Sequence, residues 1–227
     1  MIKQSSDYHD YVFRDGKLVA EFEDMYRYSE GVPWNQDKQS EWIDVRLTID
    51  LLRDIGPFEE IHDLGCGLGY YLAAMHKQVG AKECRGFGYD ISETACQKAR
   101  LSYPEFDFQT IDMTIASEQT SLSANSRAEN RRLFVIRGTL WYVFPKLSNV
   151  IKTIRSKMRQ GDKLLVVQNF PPLDKPFIGK DVIPNHHALI EHFSGSFALM
   201  RSLWYEDAIK AANDNWFIGL FFLREPA

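Results

Sequence analysis

The residues best placed to do chemistry stand in one short run, Asp63-Leu64-Gly65-Cys66-Gly67-Leu68-Gly69. Its three alternating glycines allow a tight turn and a close approach of backbone to ligand, and a helix starting there would point unpaired amides outward. Asp63 sets a carboxylate just ahead of that loop. A second carboxylate, Asp90, closes Gly86-Phe87-Gly88-Tyr89-Asp90, and a third, Asp112, follows the strand-like run 106–111. Carboxylates in such places receive hydroxyl donors and cations. Farther along, the adjacent His186 and His187 are the candidates for a general base, because an unshifted histidine titrates near neutrality.

Elements must position these groups, and the apolar pattern supplies them. Residues 60–64 read as a strand running into the glycine loop, and 70–79 as the helix after it. Strands over 84–89, 106–111 and 133–136 alternate with a helix over 93–103. A helix over 147–158 carries Leu147, Val150, Ile151, Ile154 and Met158 at helical spacing, stops at Gly161, and leads to the continuous apolar strand 164–167. After a further helix over 185–193, the β-prone runs 197–204 and 216–223 are expected to pair antiparallel at the far edge. The alternation predicts an α/β fold: a doubly wound, mainly parallel seven-stranded sheet with an antiparallel last strand. Residues 1–55 form a helical N-terminal cap and lead-in helix over 40–52. The core fills 56–227, with a Pro-stiffened insertion at 168–193, and the length of 227 residues suits one such domain.

Composition narrows the function classes. A formal net charge of -4 and a pI near 5.9 give no overall attraction to a phosphate backbone, so nucleic acid is not the expected partner. The basic cluster Arg127, Arg131 and Arg132 adjoins a polar stretch over 116–130 and reads as a solvated connection. Three cysteines without a CxxC pair fit neither a disulfide framework nor a zinc site, and no metal is expected. No stretch approaches the ~20 apolar residues of a membrane span. A cytoplasmic protein is the simplest reading.

The loop resembles the first motif of class I S-adenosylmethionine-dependent methyltransferases, in which an acidic residue precedes G-x-G-x-G after the first strand; the resemblance covers nearly the whole domain. It implies S-adenosylmethionine as cofactor. Asp63, Gly65, Cys66, Gly67 and Gly69 would hold it at the loop, Asp90 with Ile91 at the ribose, and Asp112 with Met113 at the adenine. A dinucleotide is the rival ligand, but its fingerprint wants glycine where Tyr70 stands, and Asp63 would sit badly beside a pyrophosphate. The segment from Arg137 to Val143 follows the fourth strand, which in such enzymes lies beside the transferable methyl. Arg137 is therefore assigned to the cofactor, and Trp141 and Tyr142, able to face a sulfonium, to the acceptor side. This segment lacks the Asn/Asp-Pro-Pro-aromatic signature of enzymes that methylate DNA amines or glutamine amides, which supports a small-molecule acceptor. Pro33-Trp34-Asn35-Gln36 resembles the Asp-Pro-Trp element of nodulation-type N-methyltransferases, although Val32 stands where those have Asp; only Trp34 is carried over, as a residue that closes the cofactor pocket.

With the strand ends given to the cofactor, the acceptor should be met by the cap and the insertion, through Tyr11, Asn169 and the two histidines. The aromatic, uncharged-polar character of that lid suits a hydroxyl-rich ligand such as a sugar or nucleotide-linked sugar. Two other readings stay open: a catalytically silent protein that keeps the fold as a binding scaffold, and an RNA methyltransferase, which would need a basic face.

Overall fold

A computed structural model describes residues 5–115, 131–207 and 215–224. The expected strands form one sheet: β1 Phe58–Leu64, β2 Gly80–Asp90, β3 Asp107–Thr110, β4 Arg132–Arg137, β5 Lys163–Phe170, β6 Phe197–Tyr205 and β7 Asn215–Leu223. Their spatial order is β3-β2-β1-β4-β5-β7-β6. Six strands share one direction, and the last, β7, lies antiparallel between β5 and β6. The pairing of the two final runs is as expected, but β6 takes the edge. Burial explains the order: β7 is buried over its first seven residues and needs neighbours and cover on both sides, whereas β6 is largely half-exposed.

Helices α1 His9–Val12 and α2 Phe22–Tyr28 belong to the cap; α3 Ile43–Leu52, α4 Tyr70–Val79 and α5 Glu93–Ser102 cover one sheet face, and α6 Leu147–Lys157 and α7 His186–Ser194 the other. Leu52, Leu72, Met75 and Cys96 meet Leu133 and Leu165 on the first face. Val150, Ile154, Leu189 and Phe193 meet Phe134, Val166 and Phe221 on the second. Each such apolar side chain contributes roughly 1.5–3 kcal/mol on burial. The chain starts at β1 in the middle, works outward to β3, and returns to β4 on β1's other side. That reversal opens a crevice beyond the carboxyl ends of β1 and β4, where ligands bind in open α/β sheets.

The lead-in departs from the single helix expected over 40–52. A 3-10 segment, Pro33–Glu41, precedes α3, and within it Trp34 (φ 53°, ψ 21°) and Asn35 (φ 48°, ψ 43°) adopt left-handed backbone. Such conformations cost non-glycine residues on the order of 1–3 kcal/mol and persist where surrounding contacts over-determine them. β5 runs on through Phe170, so the irregular part of the insertion is 171–185. Arg132 is not solvated: it is buried, donates to Asp162 (Nε to Oδ1, 3.0 Å) and lies over the Phe134 ring. Arg127 and the polar stretch 116–130 lie outside the described residues. Among the described residues, no helix is long and apolar enough to cross a membrane.

Candidate functional site

At the end of β1 the chain turns through Gly65 (φ 84°), Gly67 (φ 53°) and Gly69 (φ 84°) into α4. Left-handed backbone explains glycine at all three positions, and packing adds a second reason. A Cβ on Gly65 would run into Thr139; on Gly67 it would lie 2.5 Å from Gln36 Oε1 and 2.7 Å from the Tyr26 hydroxyl; on Gly69 it would lie 2.9 Å from Phe108. The space at Gly67 is therefore taken by the protein's own cap. Loop amides are satisfied from three directions: Gly65 and Cys66 donate to Tyr89 O (2.7 and 2.9 Å), Gly67 to Asp90 Oδ2 (2.9 Å) and Leu68 to Gln36 Oε1 (2.9 Å). The other oxygen of Asp90 accepts from Ser92 N at 3.0 Å. Asp90 thus holds the loop and its own turn while keeping lone pairs for a ligand.

A cavity of about 410 Å³ opens at these strand ends. Of the residues assigned to a cofactor, it brings together Asp63, Gly65, Cys66, Asp90, Ile91, Asp112, Met113, Arg137 and Trp34. Gly67 and Gly69 shape the loop without belonging to the lining. Of those assigned to an acceptor, Trp141, Tyr142 and Asn169 line the same cavity. Tyr11, His186 and His187 do not. Tyr11 is buried within the cap and donates its hydroxyl to Ser5 O at 2.9 Å. His186 starts α7, stacks on Trp204 (4.4 Å) and lies tilted against His187 (4.0 Å), and burial lowers its pKa. His186, three and seven residues before Leu189 and Phe193, shares their helix face and packs on Trp204 and Phe217, while His187 is exposed; neither lines the cavity.

Two buried charges dominate the cavity. Asp63 is 2% exposed, and its Oδ2 has no hydrogen-bond partner. Burial pushes its pKa up to about 7, with the Arg137 charge opposing and Asp90 reinforcing the shift. Arg137 donates Nε to Asp44 Oδ2 (2.7 Å) and Nη1 to Gln39 Oε1 (2.8 Å), with its guanidinium over the rings of Tyr71, Trp216 and Trp42 at 4.9–5.4 Å. Its Nη2 has no partner. Leaving a buried polar group unpaired costs roughly 1–3 kcal/mol, more when it is charged. The pair suits a ligand carrying both an ammonium and a carboxylate. Asp112 accepts from Thr114 N (2.8 Å) and Thr114 Oγ1 (2.7 Å) on one oxygen.

Several contributors gave no individual signal in the sequence. Glu23 of α2 accepts from Ser92 Oγ (2.7 Å), Thr94 N (3.1 Å) and Thr94 Oγ1 (2.6 Å), clamping the cap on the start of α5. Burial raises its pKa, but the bonds from Thr94 and Ser92 prevail and hold it down at about 2. Gln36, Gln39, Trp42 and Asp44 act at the loop or at Arg137, far along the chain; the signal available was the placing of Gln36 beside Trp34. Trp141 donates Nε1 to Asn169 Oδ1 (3.0 Å) and rests edge-on against Phe144, Phe170 and Phe177 at 4.8–5.7 Å. The insertion thus buttresses this wall through Phe177, and Asn169, which lines the cavity, belongs to β5.

No known protein-family pattern matches the chain. Curated relatives include the carboxy-S-adenosyl-L-methionine synthases of Yersinia pestis and Yersinia pseudotuberculosis, each 23% identical over 136 residues, or 60% of this chain and 49% of the relative. The chain spans about half the length of the curated relatives it matches. Among solved structures, it resembles a SAM dependent methyltransferase from Aquifex aeolicus (TM-score 0.59, 12% identity, covering 83% of this chain and 93% of that one). It also resembles the N-methyltransferase NodS from Bradyrhizobium japonicum (TM-score 0.58, 13% identity, 84% and 99% covered). Magnesium protoporphyrin IX methyltransferase from Synechocystis, solved with bound SAM, is similar at TM-score 0.54 and 15% identity, with 96% and 90% covered. At these identities the likeness is one of fold.

Proposed function

We propose that this chain, which has the class I S-adenosylmethionine-dependent methyltransferase fold, is an enzyme that binds S-adenosylmethionine along the loop 65–69 and transfers methyl to oxygen or nitrogen of a small acceptor. The observation that carries the reading is the pair of unpaired buried atoms, Asp63 Oδ2 and Arg137 Nη2, in one cavity with Asp90. In this reading Asp63 receives the ammonium of the amino-acid tail, Arg137 its carboxylate, Asp90 the ribose hydroxyls and Asp112 the adenine amino group. Ile91 flanks the ribose and Met113 the adenine, and Trp34 closes the pocket from the cap. When bound, the cofactor supplies a methyl group activated by its sulfonium. Trp141 and Tyr142 wall the adjoining space, so the chain contributes alignment and exclusion of water. No proton passes through His186 or His187, which stand outside the lining. The small-molecule acceptor and cytoplasmic setting rest on the acidic composition and the unpaired cysteines. A sugar or nucleotide-linked sugar is supported by the aromatic wall.

Calorimetric titration with S-adenosylhomocysteine, with NADH as the control, tests the cofactor. Binding of the first without the second is expected, and the reverse preference would overturn the reading. A second reading follows from the name of the Yersinia relatives, synthases of carboxy-S-adenosyl-L-methionine, and would make S-adenosylmethionine itself the group acted on; what favours it is the 136-residue likeness. Mass spectrometry of the spent cofactor separates the two, since methyl transfer leaves S-adenosylhomocysteine and carboxylation a heavier S-adenosylmethionine. Cofactor binding without any turnover would mark a silent scaffold.

A further inference from the structure

The polar groups on the cavity wall divide unevenly between donors and acceptors. Each side-chain amide oxygen there is already engaged: Gln36 Oε1 by Leu68 N (2.9 Å), Gln39 Oε1 by Arg137 Nη1 (2.8 Å), and Asn169 Oδ1 by Trp141 Nε1 (3.0 Å) and Gln168 Nε2 (3.3 Å). Two donors converging on Asn169 Oδ1 fix the amide's orientation, because the flipped form would set its NH2 against two N–H groups. Its Nδ2 hydrogens are left for a ligand. The lining also includes Lys146, exposed, whose ammonium makes one long neutral contact, to Thr114 Oγ1 at 3.4 Å. Asp63, Asp90 and Asp112 are taken by the cofactor in the reading above, and Thr139 Oγ1 donates to Arg137 O at 3.2 Å. Beside the tyrosine hydroxyls of the wall, what remains for an acceptor is an amide donor and a cation.

We propose, on the basis of that reading, that the acceptor is an anion whose carboxylate or phosphate oxygen is received by the Asn169 amide, with Lys146 supplying the opposing charge. A protonated amine would meet like charge at Lys146 and no carboxylate left by the cofactor. A neutral alcohol would find neither a charge partner nor a base, since His186 and His187 stand outside the lining. A free sugar is therefore a poorer fit than a sugar phosphate, and a flat organic acid suits the Trp141 wall equally well.

The test uses the whole protein saturated with S-adenosylhomocysteine and two matched pairs of probes, phenylacetate with phenylacetamide and glucose 1-phosphate with glucose. At least one anion should bind more than tenfold tighter than its neutral partner, and the pair that responds tells carboxylate from phosphate. Lys146→Met and Asn169→Asp should each erase the preference, while Lys146→Arg keeps it; thermal melts confirm that each variant is folded. The inference is overturned if neither anion outcompetes its neutral partner, or if the preference survives in Lys146→Met and Asn169→Asp. Failure of S-adenosylhomocysteine itself to bind would instead strike the cofactor assignment, which the first titration reads separately.

Discussion

The strand-end side of the cavity and its cap side are built by different means. On the strand-end side, polar groups come from the short stretches 63–69, 90–92 and 112–114, and their bonds close within a turn or between adjacent strands, as Gly67 N to Asp90 and Thr114 N to Asp112 do. On the cap side, the bonds that tie it to the core span long stretches of chain: 32 residues from Gln36 to Leu68, 71 from Glu23 to Thr94 and 98 from Gln39 to Arg137. Once the sheet forms, the first side is in place. The second forms only when the cap docks, and docking fills the space at Gly67. The cap is therefore part of the proposed cofactor cradle, and cap docking and loop packing are expected to be coupled.

Breaking the central ion pair should have the largest effect. Arg137→Met leaves Asp44 buried without its partner and should cost about 3–5 kcal/mol, read from the denaturant midpoint; adding Asp44→Asn should recover part of the loss. A cost below about 1 kcal/mol would mean that the cap docks by other contacts. Gly67→Val forces a β-branched side chain into left-handed backbone and against Gln36 and Tyr26. It should destabilise by roughly 2–3 kcal/mol, expose the cap to limited proteolysis and abolish S-adenosylhomocysteine binding. Normal affinity together with a protected cap would refute the coupling.

Asp90→Ala should weaken cofactor binding by roughly 1.5–3 kcal/mol, the scale for hydrogen bonds to a charged group. A change below about 0.5 kcal/mol in calorimetry would leave Asp90 with only its loop bonds. Asp63 predicts a pH dependence. Its pKa, about 7 folded against 3.8 for the ordinary group, keeps a proton on the folded protein through a range where the unfolded chain has lost it. Ligand-free stability should therefore fall as pH rises from about 4 to 7, by about 1–2 kcal/mol between pH 5 and 7. Asp63→Asn should flatten that slope in urea titrations, and an unchanged slope would place the proton elsewhere. Because the ammonium of the amino-acid tail favours ionised Asp63, cofactor affinity should rise over the same window. The smallest effect is expected from Gln36→Ala, about 1 kcal/mol in stability, with Leu68 N deprived of its partner.

Much of the fold was legible because its signals are periodic and local. The continuous apolar character of 164–167 marked a strand covered on both faces, the stripe from Leu147 to Ile154 marked one helix face, and the glycine spacing at 65–69 marked a left-handed turn between strand and helix. The place of β7 inside the sheet could not be read in this way, since two antiparallel partners look alike along the chain and only the competition for cover decides which strand becomes the edge.

The sequence by itself determined the strand-end half of the candidate site. Asp63, Asp90 and Asp112 each close or follow a strand of a parallel sheet, and parallel strands bring their carboxyl ends to one edge whatever else the chain does. Only the tertiary structure decided the other half: that Gln36 and Glu23 bind the loop and the start of α5, that Arg137 is held by Asp44 and three aromatic rings, and that His186 and His187 stand outside the cavity lining. These contacts join residues distant in the chain, and which polar group meets which is set by how the cap and the helices dock. Spacing along a chain carries no information about that docking.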